Sequence, residues 1–164
     1  LARRVGGGAD AASIAGKLGV GVLRTLGADG SEACIDGVTA LTTFACTRCA
    51  AISAGYVALA LAVAGLRRAG KLGRDPLLSP VAAVSVGIIR GTPLLDLDYT
   101  EDSSAAVDCN IIGTADGEFV EIQATAEGRP FHRRGLDDLI DLATLGLDAL
   151  FAAQREAIRT GSSG

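Results

Sequence analysis

Two carboxylates six residues apart, Asp102 and Asp108, are the side chains whose type and spacing best suit them to chemistry. They belong to a run of five acids (Asp96, Asp98, Glu101, Asp102 and Asp108) set where a β-rich segment turns back on itself. Crowded carboxylates repel one another and raise each other's pKa unless a proton or cation sits between them. If residues 103–107 curl, Asp102 and Asp108 converge on one hard divalent ion. An ion such as Mg²⁺ takes one or two carboxylates and keeps the rest of its shell for water and phosphate oxygens. One of the pair could instead serve as a general acid. The plain alternative is a solvated acidic loop.

A second group stands upstream. Thr47-Arg48 precedes a stretch without charge from Cys49 to Leu66. If that stretch is a helix, its start presents unpaired N–H groups and positive potential, and a hydroxyl and a guanidinium there complete a pocket for an oxyanion such as phosphate. The alternative is a Thr cap beside a surface Arg. Cys46-Thr47-Arg48-Cys49 is also a C-x-x-C at the same helix start, a position that depresses a thiolate pKa and suits disulfide exchange. The thioredoxin-like βαβ order is missing, and Cys34 and Cys109 do not form the second pair that zinc needs. His132 is the sole histidine and reads as a surface or substrate-edge residue.

These groups need elements to position them. Residues 9–26 carry a weak helical pattern (Ile14, Leu18, Val22, Leu26) and residues 32–41 a strand pattern. Residues 49–66 are long enough to span a bilayer, but the segment is Ala-rich and reads better as a helix buried between a sheet and its neighbours. Residues 81–89 form a strand, and Arg90-Gly91 turns it into Pro93–Asp98. Residues 107–114 and 118–125 flank Asp116-Gly117, a type I′ hairpin signal. A last helix spans about 135–158, with Asp137 and Asp138 in its first turn and Leu136, Leu139, Ala143, Leu147 and Phe151 on one face. The order predicts an α+β sandwich.

Composition sets the outer limits. Apolar residues are 49% of the 164 and charged residues 21%, with mean hydropathy +0.37, so a core can form. Aromatics are only 4%, so that core must be aliphatic and closely packed. The net charge of −4 argues against a general nucleic-acid coat while leaving room for local basic clusters such as Arg129, Arg133 and Arg134. Four cysteines make no dense disulfide framework, which favours a reducing, cytoplasmic setting. Gly161-Ser162-Ser163-Gly164 reads as a flexible tail behind a single domain over residues 1–160.

Several motifs in one order carry a resemblance. Val81-Ala82-Ala83-Val84-Ser85-Val86-Gly87-Ile88, Leu94-Leu95-Asp96-Leu97-Asp98-Tyr99, Glu101-Asp102-Ser103, Asp108-Cys109-Asn110 and Thr125-Ala126-Glu127-Gly128-Arg129-Pro130-Phe131 closely resemble the ribonuclease PH family. These are phosphorolytic 3′→5′ exoribonucleases related to polynucleotide phosphorylase and exosome ring subunits. Thr47-Arg48 and residues 52–59 resemble the family's phosphate loop and following helix.

The resemblance implies an α+β fold like ribosomal protein S5 domain 2, without the family's opening β-rich part. It implies attack of inorganic phosphate on the last phosphodiester of an RNA 3′ end, most plausibly of a tRNA precursor. Thr47 and Arg48 would bind the phosphate. Asp102 and Asp108 would be the catalytic carboxylates, holding Mg²⁺ (or Mn²⁺) or protonating the leaving 3′-oxygen. A homo-oligomer, hexameric in the family, is implied as well. Two departures keep a second reading open, an inactive structural subunit of such a ring. Phe44-Ala45-Cys46 stands where the family has Asp-Gly-Gly, and Gly7-Gly8-Ala9 stands in place of Gly-Arg-Thr.

Overall fold

The computed structural model describes residues 47–161. The patterns at 9–26 and 32–41, the side chain of Thr47 and residues 162–164 lie outside the described residues. Val81–Ile89, rich in β-branched residues, forms the inner strand β1 with the bounds its pattern predicts. Thr92–Leu95 forms β2, Val107–Thr114 β3 and Phe119–Ala126 β4. All pair antiparallel in the order β2-β1-β3-β4. Thr47–Arg68 is helix α1, Tyr99–Asp102 a single-turn helix α2, and Arg133–Gly161 helix α3. α3 starts before Asp137, so the two acids sit beyond its first turn, and it runs through Gly161, into the segment read as a tail.

The sheet is two-faced because side chains alternate along each strand. Ala82, Val84 and Val86 of β1 and Val107, Cys109 and Ile111 of β3 share one face and pack under Leu139, Leu142, Ala143, Leu147 and Phe151 of α3. The opposite face presents Ala83, Ser85 and Gly87 of β1 and Asp108, Asn110 and Ile112 of β3. Cys49 and Ile52 of α1 cover its Ala83–Ile112 end. Only a stripe of α1 is buried (Cys49, Ala50, Ser53, Val57, Ala60, Val63), while Leu59 and Leu66 are exposed. α1 is long and apolar enough to cross a membrane by composition, yet its buried stripe packs on β1 and α3. It is a one-sided cover, not the all-round buried helix expected.

The turns exchange the roles their sequences suggest. Arg90 (φ 51°) and Gly91 (φ 79°) both lie left-handed between the paired Ile89 and Thr92, which is the two-residue type I′ geometry. At the other hairpin only Gly117 is left-handed (φ 84°), and its N–H bonds Thr114 O at 3.0 Å, so the Asp116-Gly117 hairpin is a type I turn closed by glycine. β2 ends at Leu95, short of the predicted Asp98, because Asp96 turns left-handed (φ 60°).

β2 is short, so among the described residues the first half of β1 has no strand beside it on that side. Ser53 of α1 fills the gap: its Oγ accepts from Ala83 N–H (3.1 Å) and donates to Ala83 O (3.4 Å). Gln154 of α3 adds bonds from Nε2 to Ser53 O and Val81 O, both 2.9 Å. Ser53→Ala strips a buried backbone pair of its partner, and a loss of about 1–3 kcal/mol is expected in chemical denaturation.

Candidate active site

Five acids in thirteen residues divide by local structure. Asp98 caps α2: Oδ1 accepts from Glu101 N–H (2.9 Å), and Glu101 Oε2 accepts from Asp98 N–H (3.0 Å). This reciprocal box uses both carboxylates locally. Asp98 is therefore a helix cap, not the strand-end residue its position suggests. Past Asp102 the chain does curl, with Ser104 N–H on Glu101 O, Ala105 N–H on Asp102 O and Ala106 N–H on Ile88 O. That curl sets Asp102 against Asp108 at the start of β3.

Asp108 faces the side of the sheet away from α3, opposite Gly87 on β1 and Thr125 on β4. Its Oδ1 is buried and has no hydrogen-bond partner among the described residues. Burial, first, and then the charge of Asp102 push its carboxyl above the usual range; a bond from Cys109 N–H pulls down and Glu127 pushes up again. A buried carboxylate oxygen left without a donor is costly unless something outside the chain completes it.

Gly87 makes this approach possible. A Cβ there would lie 2.6 Å from Val107 O and 2.7 Å from Leu97 Cδ1, so only glycine lets the 96–106 segment lie on the sheet beside Asp108. Leu97 packs with Leu94 and Ala105 in a small core that anchors the segment. Nothing in the apolar run 81–89 marks Gly87 for this role; the clash appears only once the segment folds over it.

The start of α1 reaches the same sheet face. Arg48 Nη1 donates to Gln123 Oε1 (2.9 Å), and Nη2 lies 2.7 Å from both oxygens of Glu121. Cys49 Sγ donates to Asn110 Oδ1 (3.2 Å). In register, Gln123 pairs with Asn110 and Thr125 with Asp108. Gln123 thus lies in the same-face row next to Asp108, and Glu121 in the row beyond it. Gln123, Glu121 and Asn110 were not singled out by sequence, because contacts between α1 and the β3–β4 hairpin, more than sixty residues apart in the chain, decide which of them meet Arg48 and Cys49. Both partners of the Arg48–Glu121 pair are part-exposed (47% and 39%), where such pairs contribute at most about 1 kcal/mol, too little to withhold Arg48 from a phosphate.

The two described thiols, Cys49 and Cys109, are not poised for exchange. Cys49 is 2% exposed, and burial beside Asp108 pushes Cys109 up to about 11. Cys46 lies outside the described residues. His132 is exposed, as expected of a surface or substrate-edge residue.

Residues 79–145 match the family described as "3′ exoribonuclease family, domain 2". Over 111 residues, 68% of the chain, it is 51% identical to a protein named ribonuclease PH from Roseobacter denitrificans, and covers 47% of that relative. Over 117 residues, 71% of the chain, it is 50% identical to a ribonuclease PH from Synechococcus sp., again covering 47%. The chain belongs to the ribonuclease PH family. It spans about half the length of the curated relatives it matches. The family's fold class is what the coordinates show: an antiparallel four-stranded sheet packed with helices. Of the carboxylates that resemble the ribonuclease PH motif, Asp102 lies near enough for its charge to act on Asp108.

Proposed function

We propose that this chain is a phosphorolytic 3′→5′ exoribonuclease that shortens RNA by one nucleotide per turnover, with tRNA precursor 3′ ends as the substrate class. Inorganic phosphate attacks the terminal phosphodiester, the bond to the preceding 3′-oxygen breaks, and a nucleoside diphosphate leaves. The observation that carries this reading is that Arg48 of α1 bonds Gln123, which lies on the same sheet face as Asp108 and one row away from it.

In the proposed site Thr47 and Arg48 hold the attacking phosphate, Arg48 through its planar fork. Asp102 and Asp108 face the leaving 3′-oxygen. Burial and the charge of Asp102 shift the Asp108 carboxyl toward its protonated form, which suits it to deliver a proton to that oxygen. The unpartnered, buried Oδ1 of Asp108 beside Asp102 also fits a hard cation. Mg²⁺ or Mn²⁺ held by these two residues would supply positive charge against the phosphates. Among the described residues no cluster of three His, Cys, Asp or Glu side chains could hold an ion, so water and substrate oxygens would complete its shell. The proposed setting is the cytoplasm, where Cys49 and Cys109 stay reduced, and the proposed assembly is a homo-oligomeric ring.

Arg48→Ala is expected to raise KM for phosphate by tenfold or more with a smaller change in kcat, from the loss of about 1.5–3 kcal/mol of charged hydrogen bonding. Steady-state kinetics at varied phosphate checks it. The test of the function is incubation of the full chain with a 3′-extended RNA, with and without phosphate. Phosphate-dependent release of nucleoside diphosphates supports it, and no turnover in either condition overturns it.

Phe44-Ala45-Cys46, standing where the family has Asp-Gly-Gly, favours a second reading, the structural ring subunit that does not turn over. Glu121→Gln separates the two. In the enzyme it lowers the phosphate KM modestly, by severalfold at most; in the structural subunit it leaves RNA intact.

A further inference from the structure

Arg48 meets two side chains of β4 in two different ways, and the difference decides how firmly it is held. Gln123 Oε1 accepts from Nη1 at 2.9 Å. Glu121 brings both of its oxygens to 2.7 Å from the other terminal nitrogen, Nη2. The strong form of an arginine–carboxylate pair is a fork, with two parallel N–H···O bonds from two nitrogens. The end-on fork through Nη1 and Nη2 is closed to Glu121, because Gln123 occupies Nη1. Both carboxylate oxygens crowd one nitrogen instead.

Gln123 holds that place because the start of α1 is seated on one row of the sheet. Asn110 and Gln123 are paired across β3 and β4. Cys49, buried and next to Arg48 in α1, donates from Sγ to Asn110 Oδ1 at 3.2 Å, while Arg48 reaches Gln123. Consecutive residues of α1 thus rest on the two halves of one cross-strand pair. That seat sets Nη1 over the row next to Asp108, with Glu121 in the row beyond.

Charge gives the two contacts opposite meanings for an incoming anion. The amide of Gln123 is neutral and can keep Nη1 while a phosphate is bound. The carboxylate of Glu121 occupies the place on the guanidinium that a phosphate oxygen would take. A part-exposed pair made through one nitrogen is weak enough to exchange. We propose that Gln123 is a positioning residue: by keeping Nη1 it bars Glu121 from the closed fork and leaves Arg48 exchangeable with phosphate. The inference rests on the reading of Arg48 as the phosphate contact, and adds what keeps that contact from being locked by its own neighbour.

The test measures the affinity of the full chain for inorganic phosphate by phosphorus NMR titration, which needs no turnover. Gln123→Ala is compared alone and in a Glu121→Gln background; Gln123 is exposed, so its removal spares the core. With Glu121 present, Gln123→Ala lets the carboxylate close the fork, and phosphate binding should weaken about threefold to fivefold, the reach of a part-exposed ion pair. In the Glu121→Gln background the same substitution should change binding by less than about twofold. A residue that merely packs, or one that touches phosphate itself, would weaken binding equally in both backgrounds. That result overturns the proposal, as does Gln123→Ala without effect while Arg48→Ala still abolishes binding. An unaltered chain that binds no phosphate overturns the reading of Arg48 first, and this inference with it.

Discussion

Asp108→Asn is expected to abolish phosphorolysis while making the protein more stable. In the proposed site Asp108 would give the proton or hold the cation, and losing such a step costs about 10²-fold or more. The stability gain follows from the same geometry. An ionised Asp108 is held against burial and against Asp102, and its Oδ1 has no donor. Asparagine keeps the shape and removes the charge, so a higher Tm is expected in metal-free buffer, by an amount reduced by solvent screening of the partly exposed group.

Asp108 has a higher pKa folded than unfolded, so between those two values the folded protein binds the extra proton and stability falls as pH rises. The destabilisation is fully present above the folded pKa and vanishes as pH drops to the ordinary carboxylate range. The advantage of Asp108→Asn should therefore be largest at neutral pH and shrink toward pH 4 (roughly the unperturbed aspartate value). Thermal melts of both proteins across that range check it. A variant that is less stable at pH 7 would contradict the account of Asp108 as a strained, functional acid.

Gly87→Ala should cost both stability and turnover, through a residue that touches no substrate. Its new Cβ would meet the backbone oxygen of Val107, which is fixed in the β1–β3 ladder, and Leu97, which is 3% exposed. Overpacking of this kind costs about 1–3 kcal/mol. The softer side of the clash is the 96–106 segment, so relief lifts Asp102 away from Asp108. A shift of about 1 Å in a catalytic group can cost 10²-fold in rate. Arg48 sits at the other end of the site, so kcat should fall while the phosphate KM stays within about twofold. An alanine variant with normal kcat would show that Asp102 does not act with Asp108.

Much of this arrangement is written locally. The alternation and β-branching of residues 81–89 and 107–114 define β1 and β3, and the helical spacing of Leu139, Ala143, Leu147 and Phe151 defines the buried face of α3. The spacing of Asp102 and Asp108 was legible as a pair because the curl between them is short. The Asp-x-x-Glu spacing of Asp98 and Glu101 carried a cap signal, outweighed by the apolar run before it. The turns were harder. Arginine is uncommon in the left-handed region, so Arg90-Gly91 is a weaker type I′ signal than Asp116-Gly117, yet the sheet register puts the primed turn there. Least legible were Gln123, Glu121 and Asn110, whose roles depend on how β3 pairs β4 and where α1 lands.

The central claim is that Arg48 and the Asp102–Asp108 pair form one site in which phosphate, not water, is the attacking group. Its most direct measurement follows the atoms: the full chain, a 3′-extended RNA and isotopically labelled inorganic phosphate, with products separated by chromatography. The account predicts label in the β-phosphate of released nucleoside diphosphates, and none with Asp108→Asn. Release of unlabelled nucleoside monophosphates at a rate indifferent to phosphate would contradict it.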